Sequence, residues 1–245
     1  MIPLHDDNPT EITPVITYVV IGLCILAFLW QLSLGQTGGE RAVFSLGLIP
    51  AVLFHQAALP DEMVIVPPAT TLLTSMFLHG GFMHLAGNML YLWIFGNNVE
   101  DSMGHGRFVA FYLLCGVAAG LAQALVNPGS EIPMIGASGA ISGVLGAYLL
   151  LYPHARVLVI VPLGLFSTLM RLRAIWVLGF WFVMQLLLSG FSGSQQGGVA
   201  FFAHIGGFVA GMALIPLFKY ADVPLFHPAQ AISGSFQPHR RRNYW

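Results

Sequence analysis

Residues 136–152 read GASGAISGVLGAYLLLY, an uncharged run in which small residues recur at Ser138, Gly139, Ser142, Gly143 and Gly146. Small residues three and four apart share one side of a helix, and in lipid that side lets two backbones approach closely. The run therefore reads as a membrane helix built to pack against a neighbour. The whole chain agrees with it. Of 245 residues, 56% are hydrophobic and 8% charged, with a mean hydropathy of +0.77, whereas a soluble domain carries roughly 25% charged residues. A net charge of −1 offers no basic surface for nucleic acid. Cys24 and Cys115 lie in apolar runs and imply no disulfide framework. The acidic start MIPLHDDNPTE lacks the basic region of a cleavable signal peptide.

A crossing helix needs about 20 apolar residues. Six stretches qualify, at 14–34, 82–99, 108–126, 136–152, 174–190 and 199–218. A seventh, at 157–170, is β-branched and broken by Pro162 and Gly164, so it is expected to be an interfacial loop. With six spans, eight of the nine basic residues (Arg107, Arg156, Arg171, Arg173, Lys219, Arg240, Arg241 and Arg242) fall on one side and only Arg41 on the other. The positive-inside rule then places both termini in the cytoplasm. The expected organisation is one all-α membrane domain over 14–220. A cytoplasmic N-terminal tail (1–13) precedes it and a flexible cytoplasmic tail (221–245) follows. The long connection 35–81 is expected to be an outer element, partly embedded, with helical turns of its own.

Polar groups within spans are costly and hence informative. Under this topology the second, fourth and sixth spans run the same way, and each carries polar residues near its start: His84 and Asn88, Ser138, and His204. At 1.5 Å per residue all four lie within roughly 10 Å of the outer boundary. Each has a packing explanation. The serine sits on a small-residue face, Gly207 and Gly211 repeat that face, and histidine or asparagine serves as interhelical glue. Packing alone does not explain a common depth on three parallel helices. Chemistry does, because a serine hydroxyl becomes a nucleophile when a neutral imidazole takes its proton, and the resulting oxyanion needs preorganised donors. The loops hold the acidic residues away from these histidines, so the arrangement is a Ser138–His204 dyad with no acidic third member. The nine histidines are scattered and no H-E-x-x-H occurs, so neither a metal nor a cofactor is expected.

The segments FLHGGFMHLAGNMLYLWIFGNNVED, GASGAISGVLGAY and AHIGGFVAGMAL, in this order, resemble the signature segments of the rhomboid family of intramembrane serine proteases. The resemblance covers about residues 42–218. It implies a six-helix bundle that cleaves transmembrane segments of other proteins within the lipid bilayer of a bacterial plasma membrane. It further implies Ser138 as nucleophile and His204 as base. The side chains of His84 and Asn88 and the backbone amide of Ser138 would hold the oxyanion, and Gly136 and Ala137 would shape the preceding turn. Glu100 and Arg107 match charged family positions of structural role. Two departures stand out. The Trp-Arg pair of some members' outer loop is absent, and the tyrosine that packs on the histidine in others is Ser142 here, leaving Phe201 and Phe202 as candidates to orient His204. The stretch 190–198 suits a lid. A catalytically inactive relative that binds membrane clients is the alternative reading, and its expected mark, loss of Ser138 or His204, is missing. A transporter reading expects intramembrane carboxylates, and none is present.

Overall fold

The structure is a computed structural model, and it describes residues 1–163, 166–191 and 200–227. In chain order its elements are β1 (Ile2–Asp6), α1 (Val15–Ser33), α2 (Gly35–Leu46), α3 (Pro50–Leu53) and α4 (Thr71–Thr74). There follow α5 (Phe82–Met103), α6 (His105–Val126), α7 (Ser138–Leu151), β2 (Arg156–Leu163), β3 (Phe166–Arg173), α8 (Ala174–Phe191) and α9 (Phe201–Phe218). All six apolar stretches are helical, as α1, α5, α6, α7, α8 and α9. Three of them, α1, α6 and α9, are long and apolar enough to cross a membrane alone. The segment Asp61–Phe77 and α5 qualify together as a pair bent by 81°, while α7 and α8 are shorter apolar helices.

The small-residue run forms the centre of the bundle. From Gly139 to Tyr148 every residue of α7 is buried. A Cβ added at Gly207 would strike the carbonyl of Gly139, one at Gly211 would strike the backbone of Gly143, and one at Gly146 would strike the carbonyl of Phe208. The α7 and α9 backbones thus touch along both glycine rows, a seam that no larger residue permits. On the other side of α7, a Cβ at Gly143 would stand 2.5 Å from Cys115 of α6. Gly211→Leu is therefore expected to separate α7 from α9, lowering the thermal midpoint in detergent by several degrees, up to about 10 °C, together with activity, since overpacking costs about 1–3 kcal/mol even where side chains yield. A variant that melts like the wild type would remove this seam from the account.

The all-α expectation is corrected by a three-stranded antiparallel sheet, ordered β1-β2-β3. The expected interfacial loop at 157–170 is its hairpin, paired from Arg156↔Arg173 to Leu163↔Phe166. Val157, Val159, Ile160 and Val161 favour an extended backbone, and Pro162 bars a helix there. The N-terminal segment is likewise no tail along its whole length, because β1 pairs with β2. Buried Asp6 accepts a 2.6 Å hydrogen bond from the Tyr148 hydroxyl, and burial pushes its carboxyl up to about 6. The sheet lies at the Leu151 end of α7, away from Ser138. At that end the amides of Phe226 and His227 donate to the carbonyls of Leu150 and Leu151 at 2.7 and 2.8 Å, pairing groups that a helix terminus leaves open. Of the segments expected to be a flexible tail (221–245) and a lid (190–198), residues 228–245 and 192–198 lie outside the described residues.

Glu100 ties α1 to α5. Its buried carboxylate accepts from the amides of Ile16 and Thr17 at 2.9 and 2.8 Å and from the Thr17 hydroxyl at 2.7 Å, covering open amides of the first turn of α1. Arg107 donates to the carbonyl of Phe218 at 3.3 Å and lies over the ring of Tyr220. Between α1 and α5, residues 35–81 carry α2, α3, α4 and 3-10 turns at Asp61–Met63, Pro68–Thr70 and Ser75–Phe77. This element is held without a Trp-Arg pair. Leu48 and Met134 exchange backbone hydrogen bonds of 2.9 and 2.8 Å, and the Gln31 amide oxygen accepts from the His79 amide at 3.0 Å.

Candidate active site

The start of α7 is set by Gly136, whose φ of +127° favours glycine. Its amide donates to the carbonyl of Ser75 at 2.9 Å. A Cβ there would lie 2.8 Å from both Cε1 and Nε2 of His84 and 3.7 Å from Nδ2 of Asn88. Glycine therefore allows both the turn and the approach of two α5 side chains to it. Ala137 is fully buried at the helix N-cap, and Ser138 opens the first turn. Amides in that turn have no intrahelical partner and sit at the positive end of the helix dipole.

His204 of α9 reaches across to Ser138, with Nε2 2.8 Å from Oγ. Its other nitrogen, Nδ1, lies 2.7 Å from Oε1 of Gln185 on α8. An amide oxygen only accepts, so Nδ1 carries the hydrogen. Nε2 of the neutral ring is then free to accept the serine proton. One face of the ring is covered by Trp181, at 5.8 Å between centroids. These two α8 side chains take the place that the sequence offered to Phe201 and Phe202. Ser142 turns its hydroxyl back to the carbonyl of Ser138 at 2.6 Å.

His84 has the opposite tautomer. Its Nδ1 accepts from the amide of Gly80 at 3.4 Å, so Nε2, beside Gly136, bears the hydrogen. Asn88, one turn further along α5, is buried, and its Nδ2 has no hydrogen-bond partner among the described residues. Such an orphaned donor costs about 1–3 kcal/mol unless something fills it. His84, Asn88, Ser138 and His204 all line one cavity of about 990 Å³. The structure thus brings together every side chain singled out on the three polar helices. A hydroxyl against an acceptor nitrogen, with two side-chain donors and helix-terminal amides nearby, is equipped for attack on a carbonyl.

Two side-chain amides, Gln185 buried and Gln123 half-buried, escaped the sequence reading. Besides Gln185, Gln123 of α6 accepts from the amides of Phe202 and Ala203 at 3.0 and 3.3 Å, covering the first turn of α9. Both are uncharged polar residues inside apolar runs, which was the available signal. Among the described residues no group of three or more His, Cys, Asp or Glu is placed to hold a metal.

Compared with known proteins, the sequence matches the Rhomboid domain over residues 68–221. The chain belongs to the rhomboid family. It is 34% identical over 202 residues to Rhomboid protease GluP of Bacillus subtilis, covering 82% of this chain and 35% of that protein. It is also 34% identical to Rhomboid protein 1, mitochondrial, of Saccharomyces cerevisiae, over 51% of this chain and 37% of the relative. Identity to the human Presenilin-associated rhomboid-like protein, mitochondrial, is 32%, over 58% and 38%. The chain spans little more than a third of the length of these rhomboid relatives. As a rhomboid with several apolar helices it is a membrane protein.

Proposed function

We propose that this rhomboid is an intramembrane serine endopeptidase that cleaves transmembrane segments of other membrane proteins. The observation that carries the reading is the 2.8 Å contact between His204 Nε2 and Ser138 Oγ, with Nδ1 of the same ring already committed to Gln185. His204 removes the Ser138 proton as Oγ bonds to the scissile carbonyl carbon. The oxygen of that carbonyl becomes an oxyanion held by His84, Asn88 and the amide of Ser138. The imidazolium then gives its proton to the leaving amine as the C–N bond breaks, and water resolves the acyl-enzyme by the same sequence. The reading has all six apolar helices crossing the bilayer, both termini in the cytoplasm, and residues 35–81 partly embedded in the outer leaflet of a bacterial plasma membrane. One relative is from a bacterium, which supports a bacterial membrane, while the mitochondrial relatives extend the family to organelles. In liposomes carrying a model transmembrane substrate, the wild type is expected to produce a discrete cleavage product and Ser138→Ala none. Cleavage that survives Ser138→Ala, on enzyme free of contaminating protease, refutes the assignment.

A further inference from the structure

We infer that Gln185 is the third member of the catalytic array, a neutral positioning residue whose amide oxygen fixes the tautomer and orientation of His204. The inference rests on the Ser138–His204 reading above. Gln185 is a buried polar side chain on α8, a helix that is otherwise apolar apart from Ser189 near its end. It faces α9 across the bundle and places Oε1 2.7 Å from His204 Nδ1, on the side of the ring opposite Ser138.

Without an acceptor there, a neutral imidazole in this site has no reason to keep its hydrogen on Nδ1. The alternative tautomer puts N–H on Nε2, where it donates to Ser138 Oγ and cannot take a proton from it. Gln185 therefore selects the competent form before substrate arrives. When the ring becomes an imidazolium during attack, the same Nδ1–H···Oε1 bond becomes charge-assisted and strengthens. The proton stays on Nδ1 throughout, since an amide oxygen is far too weak a base to receive it. A carboxylate in this place would have to be buried as a charge among apolar helices, whereas an amide supplies the acceptor without that desolvation cost. Trp181 covers the ring face but supplies no acceptor, so it restrains the plane of the imidazole and leaves the tautomer to Gln185.

The test compares two substitutions of nearly equal size. Gln185→Met keeps the packing and removes the acceptor, while Gln185→Glu keeps an acceptor and removes the donor. Full-length protein in detergent is followed by the rate of fluorophosphonate labelling, with the modified residue located by mass spectrometry. Turnover of a transmembrane substrate and thermal midpoint are measured alongside. Gln185→Met is expected to slow labelling and lower kcat by about 10-fold or more, a fraction of the roughly 10²–10⁴ that a general base itself contributes, with KM unchanged and melting near wild type. Gln185→Glu is expected to recover most of that loss. Three results overturn the proposal: wild-type labelling rate in folded Gln185→Met, equal loss in both variants at intact stability, or activity kept in Gln185→Met and lost in Gln185→Glu. A wild-type chain that is not labelled at Ser138 refutes the Ser138–His204 reading itself, and the role of Gln185 with it. Normal wild-type labelling beside an unaffected Gln185→Met refutes only the role of Gln185.

Discussion

His204→Ala is expected to abolish substrate cleavage and fluorophosphonate labelling together, lowering both by at least about 10³, within the range for loss of a general base. In the proposed mechanism Nε2, 2.8 Å from Oγ, is the group that accepts the Ser138 proton. Once it is gone, Ser138 is an ordinary alcohol and reacts with neither a peptide carbonyl nor a phosphorus electrophile. The loss should be separable from unfolding. The amides of Phe202 and Ala203 stay paired with Gln123, and the Gly207 and Gly211 contacts that fasten α9 to α7 lie further along the helix. A near-native thermal midpoint with no labelling is the expected pair of results. Labelling at Ser138 that persists in folded His204→Ala would mean that another group activates the hydroxyl.

The features legible in the sequence were those written locally or by period. The glycine rows of α7 and α9, four residues apart, needed only the geometry of a helix to be recognised as a close seam. The convergence of His84, Asn88, Ser138 and His204 on one cavity was approached through an expected span count and a direction for each span. What stayed hidden depends on partners distant in the chain. Asp6 meets Tyr148 across 142 positions, and nothing near residues 2–6 announces that a strand partner waits at 157–160. The hairpin was closer to view, because its run of β-branched residues contradicts a helix, but two adjacent strands inside an apolar stretch resemble a loop until their register is known. Gln185 was hidden for a different reason. An amide carries no charge, so it passes through an apolar run with little mark, whereas the third member of a serine triad is ordinarily a carboxylate. The uncharged group answers the need in a site where a buried carboxylate would be expensive.

His84→Ala and Asn88→Ala are each expected to lower kcat by about 10²–10³, the loss typical of one oxyanion donor, while Ser138 still reacts with a fluorophosphonate. In the proposed mechanism the two histidines divide the roles through their tautomers. His204 presents an acceptor nitrogen to Ser138 because Gln185 holds its hydrogen on Nδ1. His84 presents a donor beside Gly136 because the Gly80 amide occupies its Nδ1. Asn88 adds a buried N–H with no partner among the described residues, a donor whose unmet bond is satisfied when negative charge develops on the carbonyl oxygen. Backbone amides of the first turn of α7 remain in both variants, so residual turnover is expected in each. The double variant should fall further, though by less than the product of the single losses if both side chains hold the same oxygen. KM should change little, because these bonds strengthen only as charge appears in the transition state. Should folded His84→Ala lose labelling as completely as His204→Ala, His84 would be acting on the serine proton and the division of roles would have to be withdrawn. Should Asn88→Ala keep wild-type turnover, its orphaned donor would serve the packing of α5 and the oxyanion would be held by His84 and the helix terminus.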